Sequence, residues 1–199
     1  PAPAPAAACS VGGAMGRPAG RSKPQAPGGD RAGRRRPARR RERGAPAACP
    51  PRPGHRTTAV DFSTVALERG RALAATAGAE VDWQLADLLE WVPPAAAFDL
   101  VVLKFIHLPA EERRRVYVQA AAAVAPGGTL LVVGHDRSNL AEGVGGPQGP
   151  AVLFAVGEIA AELPAGFQVE RADTVRRGSP APGPVPIDTV LRATRPGAP

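Results

Sequence analysis

Aromatic side chains are scarce: two Trp, one Tyr and five Phe in 199 residues. Cysteine is scarcer still. Cys9 and Cys49 lie far apart, with no CxxC pair and no histidine at metal spacing, which argues against a disulfide framework and against a zinc site. No stretch approaches the roughly 18 uninterrupted apolar residues of a membrane-spanning helix, because Asp99, Lys104 and the Gly-Pro clusters cut the longest candidates. A basic segment followed by an apolar one, the mark of a secretory signal, is not visible at Pro1-Ala2-Pro3-Ala4-Pro5. The expected compartment is therefore the cytoplasm.

What is present divides sharply near residue 56. Residues 1–56 hold 13 of the 25 Lys+Arg and 2 of the 18 Asp+Glu, a balance of +11 that leaves −4 for the remainder of a chain with net charge +7. Those 56 residues also hold 11 Pro and 9 Gly, and their only large apolar side chains are Val11 and Met15. So little apolar surface cannot offset the entropy of ordering, and the expectation is a disordered leader over 1–56 followed by an acidic α/β domain over 57–199. The run Arg34-Arg35-Arg36 with Arg39-Arg40-Arg41 would attract phosphate non-specifically. Without interleaved aromatics it offers no base-stacking platform, and G+C-rich DNA read out of frame would give a similar string. No nucleic-acid function is assigned to it beyond weak non-specific attraction.

From Thr57 the pattern becomes regular. Thr57 to Val60 favours a strand ending at Asp61, and Ser63 can cap a helix running to a stop at Gly78. Glu80 to Ala86 alternates polar and apolar, and Phe98 to Leu103 is apolar enough for a strand buried on both faces. Pro109 opens a helix reaching about Val124, with Glu111 and Glu112 in its first turn. Thr129 to Val133 is another buried strand, leading to His135-Asp136; a shorter helix covers Gly157 to Leu163. Two last strands, Phe167 to Ala172 and Ile187 to Ala193, are joined by a proline-rich loop and should form an antiparallel hairpin. The fold class is α/β, a doubly wound, mainly parallel sheet with an antiparallel C-terminal hairpin. In such sheets ligands bind outside the carboxyl ends of the strands, where this chain carries Asp61, Asp87, Lys104 to His107 and His135-Asp136.

A carboxylate at the end of a strand has two acceptor oxygens that match a ribose diol, and this is one reading of Asp61; the other is a helix cap. Asp87 repeats the pattern after the next strand, where it could accept from an adenine amine while the Leu88 N–H meets a ring nitrogen. His107 and His135 could orient or deprotonate an acceptor, or serve as loop-structuring hydrogen-bond groups, and Asp136 is similar. Gly143 to Pro147 reads as a flexible loop on the substrate side, and Trp83 and Trp91 read as packing residues.

Thr58-Ala59-Val60-Asp61-Phe62-Ser63, Ala86-Asp87-Leu88, Phe98-Asp99-Leu100-Val101-Val102 and Pro126-Gly127-Gly128-Thr129-Leu130, in that order, resemble the motif series of class I S-adenosylmethionine-dependent methyltransferases. The resemblance covers about residues 55–195 and is greatest to the small soluble branch that includes tellurite-resistance and thiopurine-type methyltransferases. It implies a Rossmann-like methyltransferase fold and S-adenosyl-L-methionine as cofactor. Asp61 would hold the ribose, Phe62 would flank the adenine, and Asp87 with Leu88 would read its edge. Leu103, Lys104 and Phe105 would lie beside the methionine moiety. The implied activity is methyl transfer to a small molecule by a monomer or weak dimer, with no metal and no membrane partner. His107, His135 and Asp136 are the candidate catalytic residues. The alternatives are an inactive remnant of the fold serving as an interaction module, and a nucleic-acid-associated protein using the basic leader. The family's first strand and its acid-x-Gly-x-Gly-x-Gly loop are expected about 20 residues before Asp61. That window reads Arg34 to Pro51, so the first strand and the cofactor's glycine loop are expected to be absent.

Overall fold

The structure is a computed structural model and describes residues 6–11, 56–178 and 182–197. Seven strands make one sheet: β1 Ala6–Val11, β2 Arg56–Asp61, β3 Val81–Leu85, β4 Phe98–Lys104, β5 Val124–His135, β6 Gln168–Arg176 and β7 Ile187–Thr194. Their order is β3-β2-β1-β4-β5-β7-β6. All neighbours are parallel from β3 to β5, while β7 runs antiparallel to both β5 and β6. The doubly wound sheet and its C-terminal hairpin are as expected.

The absence of a first strand is overturned. Ala6–Val11, placed in the leader by composition, is the central strand, paired with β2 from Ala6↔Arg56 to Ser10↔Val60 and with β4 from Ala7↔Leu100 to Val11↔Lys104. It belongs to the same compact unit as the rest of the sheet, so the domain does not begin at residue 57. A central strand draws its hydrogen bonds from two neighbours, and six residues suffice whatever the composition around them. The expectation of disorder for the rest of the leader falls on residues outside those described, as does the reading of its arginine clusters.

The crossover helix α1, Thr64–Thr76, starts where Ser63 stands in extended backbone and its Oγ accepts from the Ala66 N–H at 3.2 Å. Gly78, at φ +65°, turns the chain beyond its end. Helix α2, Ala110–Ala123, carries Glu111 and Glu112 in its first turn and buries Val116, Tyr117 and Ala120 at helical spacing. Those side chains meet Val101 and Leu103 of β4, Leu130 and Val132 of β5, Ile159 of α4 (Val156–Glu162) and Leu191 of β7 in the main core. Between β5 and α4 lie a single turn of helix, α3 (Asn139–Glu142), and a 3-10 turn at Pro150–Val152, neither foreseen from the sequence. Between β3 and β4 there is no helix; the Glu90 and Trp91 N–H groups both donate to the Asp87 carbonyl and close a turn.

Candidate functional site at the strand ends

The parallel register brings the carboxyl ends of three strands level. Val11 of β1 stands beside Lys104 of β4, and Ser10 beside Val60, one residue before Asp61. The Asp61 side chain is buried, 1% exposed, and its Oδ1 accepts from the Ser63 N–H at 2.8 Å. Because Ser63 itself caps α1, Asp61 is not the helix cap. It shapes the strand-to-helix turn and keeps a carboxylate at the end of β2. Phe62 follows and is exposed, at 53%. On the neighbouring strand the Ala86 N–H donates to the Asp61 carbonyl at 3.1 Å, which sets Asp87 next along the crest. Asp87 is exposed, and its Oδ1 accepts from the Leu89 N–H at 2.9 Å, holding the turn that presents Leu88. Leu103 is buried in the core, and Lys104 is the last residue of β4. Phe105 then takes φ +55°, a conformation strained for a bulky residue, while its N–H still donates to Val133 at 2.7 Å.

The histidines come together one strand further on. The His107 and His135 rings stack at 5.3 Å and 14°, His107 also lies 5.8 Å from Phe154, and Phe105 sits 5.1 Å from His135. Burial pushes the His107 pKa down to about 4, against a weaker pull from the Val152 carbonyl 3.3 Å from its Nδ1. His107 is therefore neutral at physiological pH. His135 Nδ1 lies 3.2 Å from Oδ1 of Asp188, its register partner across β5 and β7. Asp188 receives a fork from Arg177, Nε to Oδ2 at 2.8 Å and a terminal nitrogen to Oδ1 at 2.9 Å. Burial works to raise the Asp188 pKa, but the His135 and Arg177 contacts outweigh it and hold the carboxyl below its usual range. Asp188 and Arg177 were not foreseen, because they sit on the terminal hairpin and only strand pairing brings them to His135.

Asp136 is in a different situation. Its Oδ1 accepts from the N–H and hydroxyl of Ser138, and its Oδ2 from Thr174 and Thr189, at 2.7–3.2 Å. The two threonines tie the end of β5 to β6 and β7, and the four donors together outweigh burial to keep the Asp136 pKa low. The loop 143–147 does reach the site: Gly146, at φ +76°, lies so close to His135 that a Cβ there would stand 2.8 Å from Nε2. Trp83 packs on Gly70 of α1, and Trp91 lines an apolar recess with Thr58, Val60, Leu88 and Ala120. That recess lies between the sheet face and α2, and Leu88 and Leu103 of the strand-end set are among its lining residues. Among the described residues no acidic, histidine or cysteine cluster could hold a metal, and no helix is long and apolar enough to cross a membrane.

The sequence following β1 gains meaning from its place. Ser10-Val11-Gly12-Gly13-Ala14-Met15-Gly16 meets the form acid-x-Gly-x-Gly-x-Gly at Gly12 and Gly16, with Ser10 for the acid and Ala14 for the middle glycine. The signal was available in the sequence, about 50 residues before Asp61 instead of about 20.

Residues 45–128, from before β2 to the opening of β5, match the family model of a methyltransferase domain. Among solved structures the chain is similar to a SAM-dependent methyltransferase of Methanosarcina mazei, at 13% identity and TM-score 0.57 over 73% of this chain and 84% of that one. It is similar also to the N-methyltransferase NodS of Bradyrhizobium japonicum in complex with S-adenosyl-L-homocysteine, at 16% identity and TM-score 0.54, covering 72% and 69% of the two chains. The cyclase SpnF shares the architecture at 17% identity and TM-score 0.54, covering 72% of this chain and 67% of that one. The fold is thus that of the class I S-adenosylmethionine-dependent methyltransferases, and SpnF shows that the fold alone does not dictate the reaction.

Proposed function

We propose that the protein transfers a methyl group from S-adenosylmethionine to a small molecule, as in the tellurite-resistance and thiopurine-type branch that its motifs resemble. The observation that carries this reading is the crest of β2 and β3: the buried Asp61 carboxylate and the exposed Asp87 carboxylate, each held by a local hydrogen bond, with the exposed Phe62 next to Asp61. Asp61 would take the ribose hydroxyls, Phe62 one face of the adenine, Asp87 and the Leu88 N–H its edge, and the Lys104-Phe105 segment the methionine end. The segment Gly12 to Gly16, which follows β1 in the sequence and lies outside the described residues, would be the counterpart of the glycine loop, where missing Cβ atoms let backbone N–H groups approach a carboxylate. The cofactor supplies an electrophilic methyl on a sulfonium, and what the chain must do is hold an acceptor in line with it and keep competing water out. Asp136, with its acceptor positions filled by Ser138, Thr174 and Thr189, serves the architecture.

Calorimetry with S-adenosylhomocysteine tests the reading. Binding is expected, and Asp61→Ala should weaken it by about 1–3 kcal/mol, since ribose hydroxyls would be left unpaired in a desolvated place. Gly12→Val should weaken it further with no loss of thermal stability. Absence of binding by the folded chain would leave the interaction-module alternative in possession.

A further inference from the structure

The outer strand of the terminal hairpin is unpaired along one side. β6 stands last in the sheet, and among the described residues no strand pairs with its outer edge. The Arg177 N–H donates to the Pro186 carbonyl at 2.8 Å, in continuation of the Arg176↔Ile187 register. Backbone groups alternate along a strand, so Arg171, Asp173 and Val175 turn theirs towards β7, while Ala172, Thr174 and Arg176 turn theirs outward. Side chains alternate with the same period. Arg171 and Asp173 therefore share one face, half exposed at 53% and 48%, with Arg171 Nε 2.6 Å from Asp173 Oδ2. The other charges of the strand are engaged within the chain, Glu170 with Arg192 at 2.8 Å and Arg176 with Glu142 at 2.6 Å. A shift of register at Glu170 ends the regular stretch.

We propose that the outer edge of β6 is the dimerisation surface of this protein, taking β6 of a second copy in antiparallel pairing about a two-fold axis at Ala172. Ala172 of one copy then exchanges N–H and C=O hydrogen bonds with Ala172 of the other. Arg171 of each copy lies opposite Asp173 of the other, at the position in an antiparallel ladder where facing side chains stand closest. The ion pair already present within each strand becomes half of a closed ring of alternating charges. Edge charges ordinarily keep copies apart. Here they choose the register, since an axis at Arg171 sets Arg171 against itself, one at Asp173 sets Asp173 against itself, and one at Thr174 sets Arg171 against Arg177. An axis at Val175 would call on Arg177, which already forks onto Asp188. The regular stretch is short, so the association is weak and reversible. β2 and β3 stand at the far end of the sheet, so the pairing leaves the cofactor crest untouched and does not depend on the methyl-transfer reading.

Sedimentation equilibrium of the full chain at low salt should show a reversible monomer–dimer equilibrium that moves towards monomer as salt is raised. Hydrogen exchange locates it: the Ala172 amide should slow as protein concentration rises, while the Asp173 amide, turned towards β7, should not change. Arg171→Asp and Asp173→Arg each set like charges opposite one another twice, and each should raise the dimer's dissociation constant at least about tenfold. Mixed in equal amounts, the two variants should form a heterodimer, because every facing pair is then opposite in charge. The double variant, Arg171→Asp with Asp173→Arg, should regain the original affinity. Circular dichroism should show the same fold throughout, and should a variant fail to fold, the Ala172 amide of the unmodified chain decides alone. A chain that stays monomeric up to about 1 mM overturns the proposal. So does a dimer that withstands either single reversal, a mixture that fails to associate, or an Ala172 amide indifferent to concentration.

Discussion

At the residue scale, the buried polar groups divide into those that are matched and those that are not. Arg113, 3% exposed, forks onto Glu162 with hydrogen bonds of 3.0 and 2.7 Å, joining α2 to α4. Removing one partner strands the other's charge, so Arg113→Met should cost about 3–5 kcal/mol in urea denaturation, and adding Glu162→Leu should recover most of it. The Tyr117 hydroxyl has no hydrogen-bond partner among the described residues, and burial pushes its pKa well up. Tyr117→Phe should therefore leave stability unchanged or raise it by up to about 1 kcal/mol. His107 is neutral when folded, with a pKa of about 4 against 6.5 in the unfolded chain. The unfolded state then binds more protons between those values, so stability should fall as pH drops from 6.5 towards 4, by roughly 1–3 kcal/mol. His107→Gln should flatten that slope. The low pKa values of Asp136 and Asp188 act separately: their stabilisation is present above the unfolded carboxylate range and is lost only as pH falls below it.

At the scale of elements, two close approaches depend on a missing Cβ. Gly70 lets α1 lie against Trp83 of β3, where a Cβ would meet the indole at 2.4 Å. Gly134 of β5 does the same for Phe154, at 2.5 Å, beneath the stacked histidines. Gly70→Ala is expected to destabilise by about 1–3 kcal/mol in thermal melts, with partial recovery when Trp83→Leu makes room. Helix α1 itself was legible, because Ser63, the apolar spacing and Gly78 are local signals. So were α2 and the buried strands β4 and β5, each long and periodic enough to declare itself. Helix α3 was not, since four residues held by Asn139 and Asp136 carry no periodicity.

At the scale of the whole molecule, the sheet depends on its shortest argument from sequence. β1 bridges β2 and β4, so without it the parallel sheet would split into two pieces with exposed edges. A proline at Ala8 removes an N–H from the middle of that ladder. Ala8→Pro should abolish the cooperative unfolding transition followed by circular dichroism, whereas a proline within the charged edge strand β6, at Arg171, should cost much less.

Local physics written into the chain determined the alternating strands and helices, the capped start of α1, the hairpin at the end and the polar residues at the strand ends. These follow from spacing and from the conformational preferences of Ser, Pro and Gly, which act within a few residues of themselves. Tertiary structure alone decided that Ala6–Val11 is a strand, since its hydrogen bonds come from partners about 50 and 95 residues away. It also decided that His135 meets Asp188 and Arg177, because pairing across β5 and β7 juxtaposes residues about 40 to 50 apart. Such contacts leave no mark in either sequence neighbourhood: a strand's partners and an acid's base are chosen by register, which only the assembled sheet defines.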